Sequence, residues 1–160
     1  RFSLNFNHPV KELVWCVNSE ENVAGVYSHP GPQALKAKTS ADMDWSGNNP
    51  VSSAKLVLNG HDRFKTRDGT YFDSVQPSQH HSNTPSTPGI NVFSFALKPE
   101  EFQPSGTCNF SRIDNASLEV NFDDFDKDDD YWKDATVDIY ATNYNQLRIM
   151  SGMGGLTYSN

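Results

Sequence analysis

Long hydrophobic runs are missing from this chain. No apolar stretch approaches the roughly 20 residues that a bilayer-spanning helix requires, so the sequence offers no transmembrane segment of that kind. Basic residues are also scarce. Thirteen Lys and Arg face twenty Asp and Glu, for a net charge of −7, and the cations are scattered among acids instead of forming a stripe. Direct nucleic-acid contact is therefore not expected, because a surface that neutralises phosphates needs clustered positive charge. Cysteine is limited to Cys16 and Cys108, which leaves a disulfide and a pair of buried free thiols both open.

Signatures of catalysis are absent too. There is no G-x-S-x-G nucleophile elbow. Five histidines, at 8, 29, 61, 80 and 81, are the only imidazoles available for metal or base work. A metal-binding double-sheet enzyme wants two histidines one residue apart, whereas His80 and His81 are adjacent and would point apart on an extended chain. The reading is therefore a non-enzyme with no catalytic, cofactor-binding or metal-binding residue and no cofactor.

What the sequence does contain is a series of short apolar runs separated by Pro, Gly, Asn, Asp and Ser. Its 160 residues suit one domain, and an apolar content of 36% is modest, as in thin β architectures with long loops. The organising stretch is Gly89 to Phe122. Ile90, Val92, Phe93, Phe95, Ala96 and Leu97 read as a central strand buried on both faces. Pro99 to Phe102 reads as one helical turn, and Thr107 to Ile113 as extended. Ser117 to Phe122 then alternates, with Leu118, Val120 and Phe122 inward and Ser117, Glu119 and Asn121 outward.

Elsewhere, Phe2, Leu4 and Phe6 alternate with polar residues, and Val10 to Val17 resumes as a strand after His8-Pro9. Lys55 to Leu58 followed by Asn59-Gly60 is a hairpin signal, because both central turn positions need positive φ. The returning strand is His61 to Lys65, and Asp68-Gly69 marks a further turn. Asn18 to Asn49 and Tyr71 to Pro88 read as irregular surface connections, where contacts with neighbours are expected. Val137, Ile139, Ala141, Leu147 and Ile149 share one parity, which predicts a single long or bent strand. The total is about eight strands with very little helix. The fold class is all-β, an antiparallel eight-stranded jelly-roll sandwich with long loops, and residues 1–160 form one domain.

Three stretches invite a chemical reading and have a plainer one. Asp123 to Asp130 is rich in carboxylates, but an EF-hand counted from Asp124 would need Gly and Glu where Asp129 and Ala135 stand, so a solvated loop fits better. Ser151-Gly152-Met153-Gly154-Gly155 lacks the third glycine and following helix of a dinucleotide fingerprint, and close approach of backbones within or between subunits fits better. Asn109-Phe110-Ser111 and Asn115-Ala116-Ser117 match the N-glycosylation pattern without establishing its use. Tyr27, Trp45, Tyr71, Phe72, Tyr131 and Trp132 lie in or beside loops, where they suit either a sugar-binding face or protein-interface anchors. With the acidic run, they define the alternative reading, a calcium-assisted lectin-like module.

Two longer motifs carry a resemblance. Phe102-Gln103-Pro104-Ser105-Gly106-Thr107-Cys108-Asn109-Phe110-Ser111-Arg112-Ile113-Asp114 and Asn143-Tyr144-Asn145-Gln146-Leu147-Arg148-Ile149-Met150-Ser151-Gly152-Met153-Gly154-Gly155-Leu156 resemble the C-terminal half of the major capsid proteins of nucleocytoplasmic large DNA viruses. Asn7 to Trp15 resembles them more weakly, so the likeness spans most of the chain. It implies the second barrel of a double jelly-roll protein, the C-terminal part of a longer chain. It further implies a structural virion protein, with homotrimers forming pseudo-hexagonal capsomers of an icosahedral shell. Expected partners are neighbouring capsomers and minor capsid and penton proteins, with an internal viral membrane nearby. The expected location is the virion, assembled in the infected host cell cytoplasm.

Overall fold

The computed structural model describes residues 1–18, 49, 51–85, 88–122 and 136–158. Two antiparallel sheets face one another. The first runs β1 (Phe2–Ser3), β8 (Ala116–Phe122), β3 (Val51–Leu58), β4 (His61–Asp62), with β5 (Arg67–Asp68) also paired to β3. In the second, β2 (Pro9–Asn18) lies between β9 (Thr136–Asn143) on one side and β6 (Asn91–Ser94) and β7 (Cys108–Asn109) on the other. Successive strands cross repeatedly from one sheet to the other, which is the jelly-roll way of making every neighbour antiparallel.

The core between the sheets draws on both. Leu13, Trp15 and Val17 from β2 meet Ala54 and Leu56 from β3 and Leu118 and Val120 from β8, with Phe72, Phe93 and Phe110 filling the remaining space. Inward residues on β2 do not keep one parity, since Val10 and Leu13 are both buried. A bulge explains this. Val10 pairs with Asn143 and Glu12 with the next residue, Thr142, so Lys11 is the extra residue that resets the phase. Its carbonyl accepts from both Phe95 N (2.9 Å) and Ala96 N (3.2 Å), so the bulge is tied to the chain leaving β6.

The Asn59-Gly60 hairpin forms as expected, with φ of 49° and 80° at its two central residues, joining β3 to β4. Leu118 and Val120 are buried as predicted. Phe122, expected inward, is 43% exposed at the end of β8, and Ser117, expected outward, is buried.

Four expectations are corrected. The run after Pro88-Gly89 gives a strand only at β6, buried at all four positions, and among the described residues it pairs with β2 alone; β2 is the central strand. Thr107 to Ile113 is extended only at β7 and then turns as a 3₁₀ helix over Phe110–Arg112. Pro99 to Phe102 makes a turn closed by Glu101 N donating to Lys98 O, with no helix following. The largest correction concerns Tyr71 to Pro88. It is helical over Tyr71–Val75, with π geometry, and continues as α1 (Gln76–His80). Phe72 there is completely buried, and Asp73, Gln76 and Pro77 are buried with it, while Ser74, Val75, Ser78, Gln79 and Ser82 to Pro85 stay exposed.

The C-terminal strands also differ from expectation. Val137, Ile139 and Ala141 belong to β9 and pack on the core, but the parity they share with Leu147 and Ile149 does not mean one strand. Those two lie on β10 (Leu147–Met150), which pairs with β11 (Met153–Leu156) as a separate two-stranded sheet. The stretches Asn18 to Asn49, except for its two ends, and Asp123 to Asp130 lie outside the described residues.

Candidate functional site

Two features stand out from the sandwich. One is a polar lock on the edge of β6 that faces away from β2. The other is an apolar arm.

An edge strand exposes backbone donors and acceptors that can pair with another chain. Here the helical segment covers that edge. Gln76 Oε1 accepts from the buried Ser94 N at 3.0 Å, and Gln76 Nε2 donates to Tyr71 Oη at 2.8 Å. Nearby, the Asn49 amide donates to Asn91 Oδ1 (2.7 Å) and Asp73 Oδ2 (3.0 Å), while Ser74 Oγ donates to Asp73 Oδ1 (2.8 Å). Both oxygens of the buried Asp73 are thus occupied. A half-open cavity of about 380 Å³ lies beside this network, with Asp68 and Asp73 in its wall. One oxygen of Asp68 is engaged as well, because Thr70 donates to its Oδ1 from both Oγ1 (2.6 Å) and N (3.0 Å). The same two bonds, the hydroxyl first, hold the Asp68 carboxyl below its ordinary range.

Just past α1, His81 stands between two carboxylates. Its Nε2 is 3.0 Å from Glu12 Oε2 and its Nδ1 is 3.3 Å from Glu100 Oε1. The Glu12 contact is close but out of line, so neither buried atom has a well-directed hydrogen bond. Glu100 is also held by Ser82 N at 3.0 Å, and this bond is the main reason its carboxyl sits below the usual value. His80 points elsewhere, with Nδ1 3.0 Å from Leu97 O, as adjacent residues should. His61 is exposed and His8 stacks on Tyr158, while His29 lies outside the described residues. Among the described residues no three His, Cys, Asp or Glu side chains come together to hold a metal ion.

Cys16 and Cys108 do not form a disulfide. Cys108 pairs with Val10, six residues along β2 from Cys16, so their Cα atoms are roughly 20 Å apart, far beyond disulfide reach. Burial pushes the Cys108 thiol up. Of the aromatics considered for a sugar face, Phe72 is buried and Tyr71 half-buried; Tyr27, Trp45, Tyr131 and Trp132 lie outside the described residues. Asn109 caps the 3₁₀ turn by accepting from Ser111 N, and Asn115 N donates to Asn59 Oδ1.

The arm is β10 and β11 joined by Ser151-Gly152, whose φ values of 51° and 80° make a tight hairpin turn. Leu147, Ile149, Met150, Met153 and Leu156 are all exposed, with Ile149 at 69% and Met153 at 74%. A Cβ added at Gly155 would meet nothing within 4 Å, and at Gly154 only the Leu147 side chain at 4.0 Å. Among the described residues, no other part of the chain makes the close backbone approach expected at these glycines. The base of the arm is firmly held. Tyr144 N donates to Pro9 O and Thr157 N to Gln146 O, both at 2.9 Å, and Asn145 bonds to both backbone groups of Tyr158. On sequence alone, the arm was hidden because its apolar parity continued that of β9.

The model of the large eukaryotic DNA virus major capsid proteins matches residues 1–155. The chain belongs to this family. Among curated relatives, the major capsid protein of Chrysochromulina ericina virus is 63% identical over 123 residues, covering 77% of this chain and 20% of its own length. That of Pyramimonas orientalis virus is 46% identical over 182 aligned residues, covering 100% of this chain and 39% of its own length. That of Paramecium bursaria Chlorella virus 1 is 42% identical, covering 98% and 42%. The chain thus spans well under half the length of these major capsid proteins. A chain in the PBCV-1 virus capsid quasi-atomic model superposes with a TM-score of 0.75 at 41% identity, over 99% of this chain and 45% of that one. The Faustovirus major capsid protein, at 13% identity and a TM-score of 0.57, shares the fold.

Proposed function

We propose that this chain is the C-terminal jelly roll of a structural capsid protein and performs no catalysis. The observation that carries the reading is the superposition along 99% of the chain on a PBCV-1 capsid chain, at 41% identity. Only 45% of that chain is covered, which leaves room for a first barrel of similar size. The full-length protein would then form homotrimers presenting six barrels, and these pseudo-hexagonal capsomers would tile an icosahedral shell in the virion, assembled in the host cytoplasm. Minor capsid and penton proteins are its further partners, and an internal membrane lies beneath. The chemistry is burial of surface between copies, which closed symmetric assemblies use in place of a cofactor or substrate.

Mass spectrometry of purified particles tests this. Peptides of this chain should be among the most abundant in intact virions and should remain with the shell after detergent removes lipid. Their absence from particles, or loss with the lipid fraction, contradicts the reading.

A further inference from the structure

We infer that His81 is a proton-operated latch: with both ring nitrogens protonated it ties the turn from Leu97 to Gln103 to the central strand β2, and on losing one proton it releases one of the two. The latch works within one chain and does not depend on the capsid reading.

The ring stands between two carboxylates from different parts of the fold. On one side Nε2 is 3.0 Å from Oε2 of Glu12, on β2; on the other Nδ1 is 3.3 Å from Oε1 of Glu100, on the turn. Glu12 is 9% exposed, and neither its Oε2 nor His81 Nε2 finds a hydrogen bond elsewhere among the described residues. An ionised carboxylate only accepts, and a neutral imidazole has one N–H and one lone pair. With its single proton on Nδ1, the ring turns a lone pair toward the buried acceptor at Glu12. With that proton on Nε2, it turns the lone pair toward Glu100. Only the doubly protonated ring serves both, and a buried carboxylate left without a donor is costly.

Among the described residues no other charge on the surrounding elements takes over either role. Thr142 on β9 and Ser94 on β6 stand opposite Glu12, and both are uncharged. Asp138 on β9 stands opposite Cys16, roughly 13 Å farther along β2. Lys11 sends its ammonium over the Tyr144 ring, 5.2 Å from the centroid, and on the turn Lys98 pairs with Glu101 at 3.0 Å. His80 at the end of α1 is directed at Leu97 O. Glu100 keeps its charge throughout the imidazole range, because Ser82 N holds its carboxyl below the usual value.

What the latch governs is an apolar tip. The turn presents Phe102, fully exposed, and Leu97, 72% exposed. Its neck is closed separately, by Leu97 N donating to Ser105 O at 3.4 Å and Lys98 N to Ser105 Oγ at 2.9 Å, so losing the His81 tie loosens the tip and leaves the barrel intact. The stabilisation comes with the added proton. It is therefore full below the imidazole's titration and is lost as pH rises through it.

Hydrogen-exchange mass spectrometry of the full-length protein tests this at about pH 5.5 and about pH 8, on either side of the ordinary imidazole value of roughly 6.5, with rates corrected for intrinsic chemical exchange. Peptides spanning Leu97 to Gln103 should exchange at least about threefold more slowly at the lower pH, while peptides of β8 should not change. In His81→Gln the difference should vanish, with the turn exchanging at the parent's high-pH rate at both values. Glu100→Gln alters an exposed side chain and leaves the β2 contact in place. Its amide can donate as well as accept, so it suits either state of the ring and should remove most of the difference even if His81→Gln does not fold. A parent turn that exchanges alike at the two pH values overturns the latch, and so does a difference that persists in either variant.

Discussion

Gln76 Oε1 accepts the backbone N–H of Ser94 at 3.0 Å, so a side chain from α1 takes the position that a neighbouring strand would occupy on β6. Ser94 N is buried, and removing its partner leaves a donor with no route to water. Gln76→Ala should therefore cost about 1–3 kcal/mol of unfolding free energy in urea titrations. The variant should also aggregate faster than the parent on mild heating, because the β6 edge becomes available for pairing. An unchanged urea midpoint would show that the helical segment is not what closes this edge.

Phe72 tests the same segment through packing. It is completely buried and contacts Trp15, Tyr71 and Phe64 at ring-centroid distances of 5.1 to 5.7 Å. Phe72→Ala should destabilise the domain by about 3–5 kcal/mol, whereas Phe102→Ala, at a fully exposed site, should leave the barrel's stability within about 0.5 kcal/mol. A surface-loop position for Phe72 would make the two substitutions alike.

Gly69 lies where a Cβ would sit 1.9 Å from Val51 O, and the obstacle is backbone that cannot rotate away. Gly69→Ala should therefore separate β5 from β3 and lower stability by at least the roughly 1–3 kcal/mol typical of overpacking. Gly155→Ala, with open space around it, should leave the monomer's melting temperature unchanged. Differential scanning calorimetry of the two variants makes the comparison.

Acid should weaken the fold in a defined window. The carboxyls of Asp68 and Glu100 are held below their ordinary values by hydrogen bonds from Thr70 and Ser82. A depressed folded-state value means that the stabilisation is fully present above the unfolded carboxylate range, about 4, and is lost as pH falls through the lowered folded values. Thr70→Val removes the hydroxyl's bond to Asp68 and keeps the backbone one, so it should partly flatten the fall in urea midpoint between pH 5 and pH 3. Equal slopes in parent and variant would contradict the assignment.

The apolar run Leu13 to Val17 made β2 legible in the sequence, turn chemistry the Asn59-Gly60 hairpin, and alternation Leu118 and Val120. The helical cover did not show, because two of its buried residues, Asp73 and Gln76, are polar and its single fully buried aromatic, Phe72, sets up no apolar stripe. Pro77, in the first turn of α1, stands where the π geometry of Tyr71–Val75 gives way to α. The Lys11 bulge was equally silent, because a phase reset between Val10 and Leu13 looks like ordinary irregularity until pairing with β9 is seen. The two capsid-like motifs could be read as a resemblance, yet they did not disclose that the second of them forms an arm standing away from the barrel.

Electron microscopy of the full-length protein at assembly concentration tests the central claim most directly. The account predicts trimers with a pseudo-hexagonal outline whose density contains two barrels per copy, one of them superposing on the strands described here. Monodisperse single copies, or assemblies without that outline, would contradict it.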